Sequence, residues 1–329
     1  MPDVACLGIL VADVVAKPVD EYPERGKLVL CDQIELHSGG CAANTAIGLA
    51  RLGASVAVLG KVGNDGFGDF VVDSLTRERC DCSGIVRDPD ANTSATCVLV
   101  HSDGERSFVH NIGANATIKP EDVNMDIIRA AKILHYAGHN LMPGFDGAPA
   151  ASVLKAAKDA GVTTCLDTAW DATGQWMSLI EPCLPHVDLC LPSVEEARMI
   201  TGKETPRSVA QVLLDHGVKT VGLKMGTQGC YVCTADEDFT LPIYPVVPID
   251  ATGAGDAFVA GFLRALLEGW QLDWVARLAN AVGALCVTGV GTTQGIRGWD
   301  DTLQFMESHG DPPPTSPSTP QAHTNPSIS

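Results

Sequence analysis

The feature that most constrains the fold is an alternation that runs along most of the chain. Short apolar runs of strand length are each followed by a stretch with helical spacing and then a glycine. Residues 3–9 and 55–60 read as buried strands, followed by helices over 40–52, where Ala43, Ile47 and Ala50 share a face, and over about 67–79. Further strands are predicted at 133–137, 162–167, 187–191 and 218–224, separated by helices near 148–160, 175–182, 194–201 and 206–216. Gly161, Gly202 and Gly217 stand where helix C-termini are expected, since a left-handed residue ends a helix at least cost when it is glycine. Strands interleaved with helices require βαβ units, and hence an α/β fold with a mostly parallel central sheet flanked by helices.

One region departs from that rhythm. Residues 93–101 alternate polar and apolar, Ser102-Asp103-Gly104-Glu105 is a turn signal, and 106–110 alternate again, the pattern of a β-hairpin. With the extended-looking segment 27–37, it predicts a small β lid built from about 14–38 and 92–115, over a single domain spanning 1–309. The Pro/Ser/Thr-rich tail, 310–329, has little to bury and is expected to be disordered.

The 45% hydrophobic content is enough for one large core, and with aromatics at 5% it rests on Ala, Val, Leu and Gly, which suits helices packed on a sheet. A formal charge of −18 provides no basic field for DNA, RNA or anionic lipid, so no nucleic-acid or membrane partner is expected. Cys6, Cys97, Cys165, Cys190 and Cys286 fall in apolar runs and are expected to be small buried hydrophobes. The close pairs, Cys80 with Cys82 and Cys230 with Cys233, lack a second pair at zinc-like spacing. The N-terminal Met-Pro-Asp-Val carries no signal-peptide pattern, and the expectation is a reduced, cytoplasmic protein.

Chemistry is concentrated in Asp250-Ala-Thr-Gly-Ala-Gly-Asp256. Phe258, Phe262, Leu263 and Leu266 recur at helical spacing, so a helix should begin at about Asp256, fed by an extended run at 239–247. Gly253 and Gly255 allow close backbone approach, and free N–H groups at a helix N-terminus favour an anion. Such a cradle suits the charge on a transferring phosphoryl group. A carboxylate at its mouth would repel a phosphate it merely bound, so Asp256 is assigned as the general base for an attacking hydroxyl. The competing reading makes Asp256 only a helix N-cap.

A second segment, Ser38-Gly39-Gly40-Cys-Ala-Ala-Asn44, brings a Gly-Gly pair into a helix and supplies an amide that both donates and accepts hydrogen bonds. With Asp13 just beyond the first strand, it offers groups suited to hydroxyls; a turn role is the alternative for Asp13. No G-x-x-x-x-G-K-[ST] occurs, and Gly8 is not followed by a dinucleotide fingerprint. Lys224-Met-Gly226-Thr-Gln-Gly229 is a glycine-containing turn after a strand, a weak signal by itself.

Together these residues resemble the ribokinase-like (PfkB) carbohydrate kinase family over roughly 3–305. The N-terminal signature matches Gly39-Gly40-x-x-x-Asn44 through Gly53 and Gly63-x-Asp65-x-x-Gly68, and the C-terminal one matches Asp250 to Asp256. The resemblance implies a ribokinase-like α/β domain with a β lid, ATP with Mg2+, and γ-phosphate transfer to an alcohol of a sugar or nucleoside. It implies that Asp256 is the catalytic base and Gly253, Ala254 and Gly255 the anion hole, with Asp13, Gly39, Gly40 and Asn44 on the substrate. It places Lys224, Gly226, Gly229 and Asn280 at the nucleotide, and Asp250 and Thr252, completed by 288–293, at a monovalent cation such as K+.

The family's Asn-x-x-Glu appears here as Ser193-Val-Glu-Glu196, so Glu196 would organise Mg2+ indirectly while a hydroxyl stands in for an amide. Ala169 stands after Asp167 where many members have Asn, and the loop at 288–293 matches the family only loosely, which leaves potassium open. A sugar kinase is the first reading, a nucleoside kinase of the same fold the second, and a non-catalytic sugar-binding protein the third. For the second, Phe108, Tyr136 and Trp170 are the aromatic candidates to hold a base. The lid's exposed edges would allow a homodimer.

Overall fold

The computed structural model describes residues 1–103 and 105–314. The first half of the chain contains β1 (Val4–Gly8), β2 (Val11–Lys17), β3 (Gln33–Gly39), α1 (Cys41–Arg51), β4 (Val56–Gly63), α2 (Gly66–Arg77), β5 (Asp81–Asp88), β6 (Ala95–Val100) and β7 (Arg106–Asn111). Next come α3 (Met125–Ala130), β8 (Ile133–His139), α4 (Ala148–Asp159), β9 (Thr163–Thr168), α5 (Met177–Ile180), β10 (Leu189–Cys190), α6 (Val194–Thr201) and α7 (Pro206–Asp215). The last part holds β11 (Thr220–Lys224), β12 (Cys230–Cys233), β13 (Asp238–Leu241), α8 (Ala254–Leu267), α9 (Leu272–Cys286) and α10 (Trp299–Ser308).

Nine strands form the central sheet in the order β13-β12-β11-β10-β9-β8-β1-β4-β5. It is parallel except for β12 and β13 at one edge. β1 lies between β8 and β4, pairing Cys6 with both His135 and Val58, so the order reverses there and the carboxyl ends of the strands open a crevice. Alternation along the strands feeds two cores. Val4, Cys6, Val56 and Val58 face α1, α8 and α9, whereas Ala5, Leu7, Leu59 and Leu134 face α4, α6 and α7. Because both faces are covered, the strands read as continuous apolar runs rather than alternating ones.

A separate four-stranded sheet, β3-β2-β6-β7, is the lid anticipated from the hairpin pattern. The chain passes into it directly from β1, and the Asn115 side chain pins that crossing by bonding both the amide (3.2 Å) and the carbonyl (3.1 Å) of Leu10.

Several expectations are corrected. The extended run ends at Leu241, and irregular chain rather than a strand leads from there to α8, because Pro242, Pro245 and Pro248 remove ladder donors. The helix begins at Ala254 with Gly253 as its cap, two residues earlier than expected, so Asp256 is not the N-cap. The segment 175–182 shortens to the single turn Met177–Ile180, and 27–32 is irregular. Cys97 is exposed, since its position on β6 points away from the body, while Cys6, Cys165, Cys190 and Cys286 are buried as expected. Most of the expected disordered tail lies outside the described residues. Among the described residues, no helix is long and apolar enough to cross a membrane.

Candidate active site

Asp256 occupies the third position of α8, and Gly253 caps that helix with φ +79°, a conformation open chiefly to glycine. A Cβ at Gly253 would lie 2.1 Å from the Thr292 carbonyl oxygen, so the backbone of the turn presses directly on the loop 288–293. No side chain caps this end of α8, leaving first-turn amides without intrahelical partners to face an anion.

Asn44, buried on the first turn of α1, donates from Nδ2 to Asp256 Oδ2 at 2.8 Å. Its Oδ1 is buried with no partner among the described residues. Burial raises the Asp256 carboxyl above the ordinary carboxylate range, while the Asn44 hydrogen bond and the Lys224 ammonium limit the rise. The α1 entry depends on Gly40, at φ +92°, where a Cβ would meet the Ile9 carbonyl oxygen at 2.4 Å. A Cβ at Gly39 would fall 2.0 Å from Asp13 Oδ2, so glycine there makes room for the Asp13 carboxylate.

Lys224, at the carboxyl end of β11, bonds both carboxylate oxygens of Asp167 at 2.7 Å. Burial alone would lower the ammonium, but Asp167 and Glu196 outweigh it and raise the group to about 12, so it stays charged. Its Nζ lies 3.4 Å from where a Gly255 Cβ would be, which sets a fixed cation against the amides of the α8 turn. Glu196 is the third residue of α6. Its Oε2 accepts from Thr168 Oγ1 at 2.8 Å and from the Ser193 amide at 3.2 Å, while Ser193 Oγ accepts from the Glu196 amide. This is a reciprocal capping box: the Ser193 oxygen accepts at the helix end, while its O–H keeps the capacity to donate.

Two cavities flank the turn 250–255. One, about 440 Å³, is lined by Lys224, Gly226, Gly229, Phe258 and Asn280, with Ala254 and Gly255 at its edge. The Asn280 amide is engaged, donating to the carbonyls of Pro242 (3.1 Å) and Leu241 (3.4 Å), so it shapes the wall. The other, about 310 Å³, lies between lid and body, lined by Asp13, His37, Thr96, Arg106, Phe108 and Thr252. Burial raises the Asp13 carboxyl, against the Thr96 hydroxyl and the nearby His110 and His37.

Asp250 lines that second cavity as well, but it is already occupied. Arg106 Nη2 donates to Oδ1 at 2.6 Å, the Thr252 amide donates to the same oxygen at 2.8 Å, and the Gly291 amide donates to Oδ2 at 2.9 Å. Sequence reasoning missed Arg106 and Asp167 as members of the site. The period of two along β7 puts Arg106 and Phe108 on one face, but nothing local says which face looks inward.

The pfkB family carbohydrate kinase model matches residues 1–297. The chain belongs to that family. It is 30% identical over 285 residues to fructokinase-1 of Oryza sativa subsp. japonica, covering 82% of this chain and 88% of that protein. Its fold superposes on Arabidopsis thaliana ribokinase complexed with ribose and ATP with a TM-score of 0.83 at 26% identity, over 93% and 99% of the two chains. The fructokinase of Xylella fastidiosa with bound ATP gives 0.80 at 25%, over 94% and 100%. The fold is therefore ribokinase-like, and this pfkB member is a phosphotransferase acting on a sugar hydroxyl.

Proposed function

We propose that this pfkB kinase transfers the γ-phosphate of ATP to a hydroxyl of a sugar or sugar acid, with Asp256 as the general base. The observation that carries the reading is a carboxylate, tied to Asn44 at 2.8 Å, at the open N-terminus of α8 directly after the turn that the two cavities flank. The larger cavity takes the nucleotide, which Lys224 meets at the phosphates and Gly226, Gly229 and Asn280 border. The smaller takes the acceptor, whose hydroxyls suit Asp13 in its lining, with Gly39 making room for that carboxylate; Gly40 and Asn44, whose buried Oδ1 has no partner among the described residues, lie beside it rather than in its lining.

Asp256 takes the proton of the acceptor hydroxyl as that oxygen attacks the γ-phosphorus. The bond from the phosphorus to the β–γ bridging oxygen breaks, and ADP leaves. The α8 amides of the Gly253-Ala254-Gly255 turn and the Lys224 ammonium face the charge on the transferring group, in a site where such fixed dipoles need no reorganisation.

Magnesium fits as an ion carried by the nucleotide. No group of three or more His, Cys, Asp or Glu converges to hold a metal among the described residues, whereas Mg2+ commonly needs only one or two carboxylates beside phosphates. Glu196 would hold it through water, and the ion would neutralise phosphate charge there.

The aromatic residues favour a sugar over a nucleoside. Tyr136 is buried and donates to Asp146, and Trp170 stacks edge-on against Trp176 at 5.0 Å, so of the three candidates only Phe108 lines the acceptor cavity. One ring cannot sandwich a base. The lid's outer face, with Ile34 and Val109 each more than 60% exposed, is the surface through which we propose a homodimer.

An ADP-release assay with magnesium-ATP across sugars, sugar acids, polyols and nucleosides tests the reading. A sugar or sugar acid as the best acceptor supports it; turnover confined to nucleosides replaces it with the second reading. Tight sugar binding without turnover would leave a binding protein.

A further inference from the structure

Asp250 and Thr252, with the loop 288–293, match positions that in many family members help hold a monovalent cation. Here two guanidinium groups already serve the acceptors of that region. Arg106, the first residue of β7 in the lid, bonds Asp250 Oδ1 at 2.6 Å. Arg51, from α1, donates to the Thr293 carbonyl oxygen at 2.5 Å while bonding Glu78 with the rest of its fork. The remaining Asp250 oxygen accepts the Gly291 amide at 2.9 Å. A monovalent cation seeking Asp250 would have to compete with a fixed, better-matched cation in a half-buried site.

Asp250 is also where three parts of the chain meet. Through the Thr252 amide it touches the turn that forms the anion hole, through Gly291 the loop behind it, and through Arg106 the lid. A second lid contact lies alongside, where Thr292 Oγ1 donates to the Ser38 carbonyl at 3.3 Å. The loop in turn backs Gly253, whose absent Cβ would strike the Thr292 carbonyl oxygen. A charge arriving at Asp250 therefore bears on the shape of the α8 cradle, and here that charge comes from the lid.

We propose that Arg106 is a positioning residue that supplies at Asp250 the positive charge a bound monovalent cation would otherwise supply, so that lid closure itself completes the anion hole. This rests on the kinase reading and adds its cation requirement: turnover is independent of K+. The charge of Asp250 is balanced by Arg106 only with the lid in place, so acceptor binding under the lid and ordering of the cradle are one event.

Two measurements test it. Steady-state kinetics at constant ionic strength compare KCl with tetramethylammonium chloride for the wild type, Arg106→Ala and Arg106→Lys. The expected result is wild-type kcat unchanged within about twofold between the salts. Arg106→Ala should lose about tenfold or more in kcat without K+, the scale of stripping one partner from a desolvated charge pair, and recover part of it when K+ is added. Arg106→Lys should lie between them. A wild type activated several-fold by K+ overturns the proposal. So does an Arg106→Ala enzyme that only raises KM with no potassium rescue, because Arg106 would then be a plain substrate contact.

Hydrogen exchange read by mass spectrometry on the full chain, without nucleotide or sugar, supplies the second readout. Arg106→Ala should speed exchange in 250–253, in 288–293 and in the hairpin 95–111 together, and K+ should restore protection in the first two segments only. Exchange unchanged outside the hairpin overturns the latch. If no acceptor on the panel is phosphorylated while this exchange pattern is found, the kinase reading fails and the latch stands; the reverse pairing fails the latch alone.

Discussion

Asp256 and Asn44 lie 212 residues apart in sequence, and a 2.8 Å hydrogen bond joins the Asn44 amide to the proposed base. Burial lifts the Asp256 carboxyl and Asn44 pulls it back. A general base must be deprotonated, so activity should fall as pH drops through the raised value, with an acid limb above the ordinary carboxylate range. Removing the Asn44 donor should move that limb upward in pH. Asn44→Ala is therefore expected to shift the acid limb of kcat/KM to higher pH and to raise KM for the acceptor. An unchanged profile in that variant would separate Asn44 from the base. Both residues were legible as candidates, because each lies beside glycines whose only economical use is close backbone approach. Their pairing was not, since no local pattern reports which loop faces which.

At the scale of elements, the turn into α8 shows why a strand was expected where none forms. The run 239–247 is apolar enough to look extended, but prolines at 242, 245 and 248 cannot join a ladder, so pairing stops at Leu241 and the chain wanders to Gly253. The helix then starts two residues before Asp256, placing the carboxylate on the inside of the first turn instead of at the cap. That shift takes Asp256 out of the capping position and frees its carboxylate for the proposed role of base. Gly253→Ala tests the geometry: the left-handed φ alone costs about 1–3 kcal/mol, and the new Cβ would meet the Thr292 carbonyl oxygen. A fall in melting temperature is expected together with a loss of turnover that nucleotide saturation does not restore. Wild-type stability and rate in this variant would mean the cap conformation is not required. The βαβ strands were readable because a sheet covered on both faces shows as unbroken apolar runs. The two-residue β10 and the short α5 were overread because apolar periodicity has no sharp ends.

For the whole molecule, the central sheet places Asp167, Lys224 and the Ser193–Glu196 cap at the carboxyl ends of β9, β11 and β10, and the lid covers the neighbouring cavity with Asp13 and Arg106. The lid was foreseeable from the hairpin pattern at 93–110, but its inner face was not, and with it Arg106 and the acceptor cavity were missed. Its outer face carries Ile34 and Val109 in the open, an apolar surface that another copy would cover. Replacing both with Glu or Lys should convert a dimer to monomers in native mass measurements while leaving the fold intact. A wild type that is monomeric at micromolar concentration would refute dimerisation through this face. Deleting the hairpin 95–111 should cost acceptor phosphorylation and leave uncoupled ATP hydrolysis, since the lid excludes water; activity and hydrolysis both unchanged would deny it that role.

The most direct test of the account is turnover of Asp256→Asn against the wild type on the best acceptor, with ATP binding measured in parallel. The account expects kcat to fall at least about a hundredfold with ATP affinity and melting temperature nearly unchanged. Near-normal turnover in a variant that binds ATP and folds normally would contradict the assignment of Asp256 as the base.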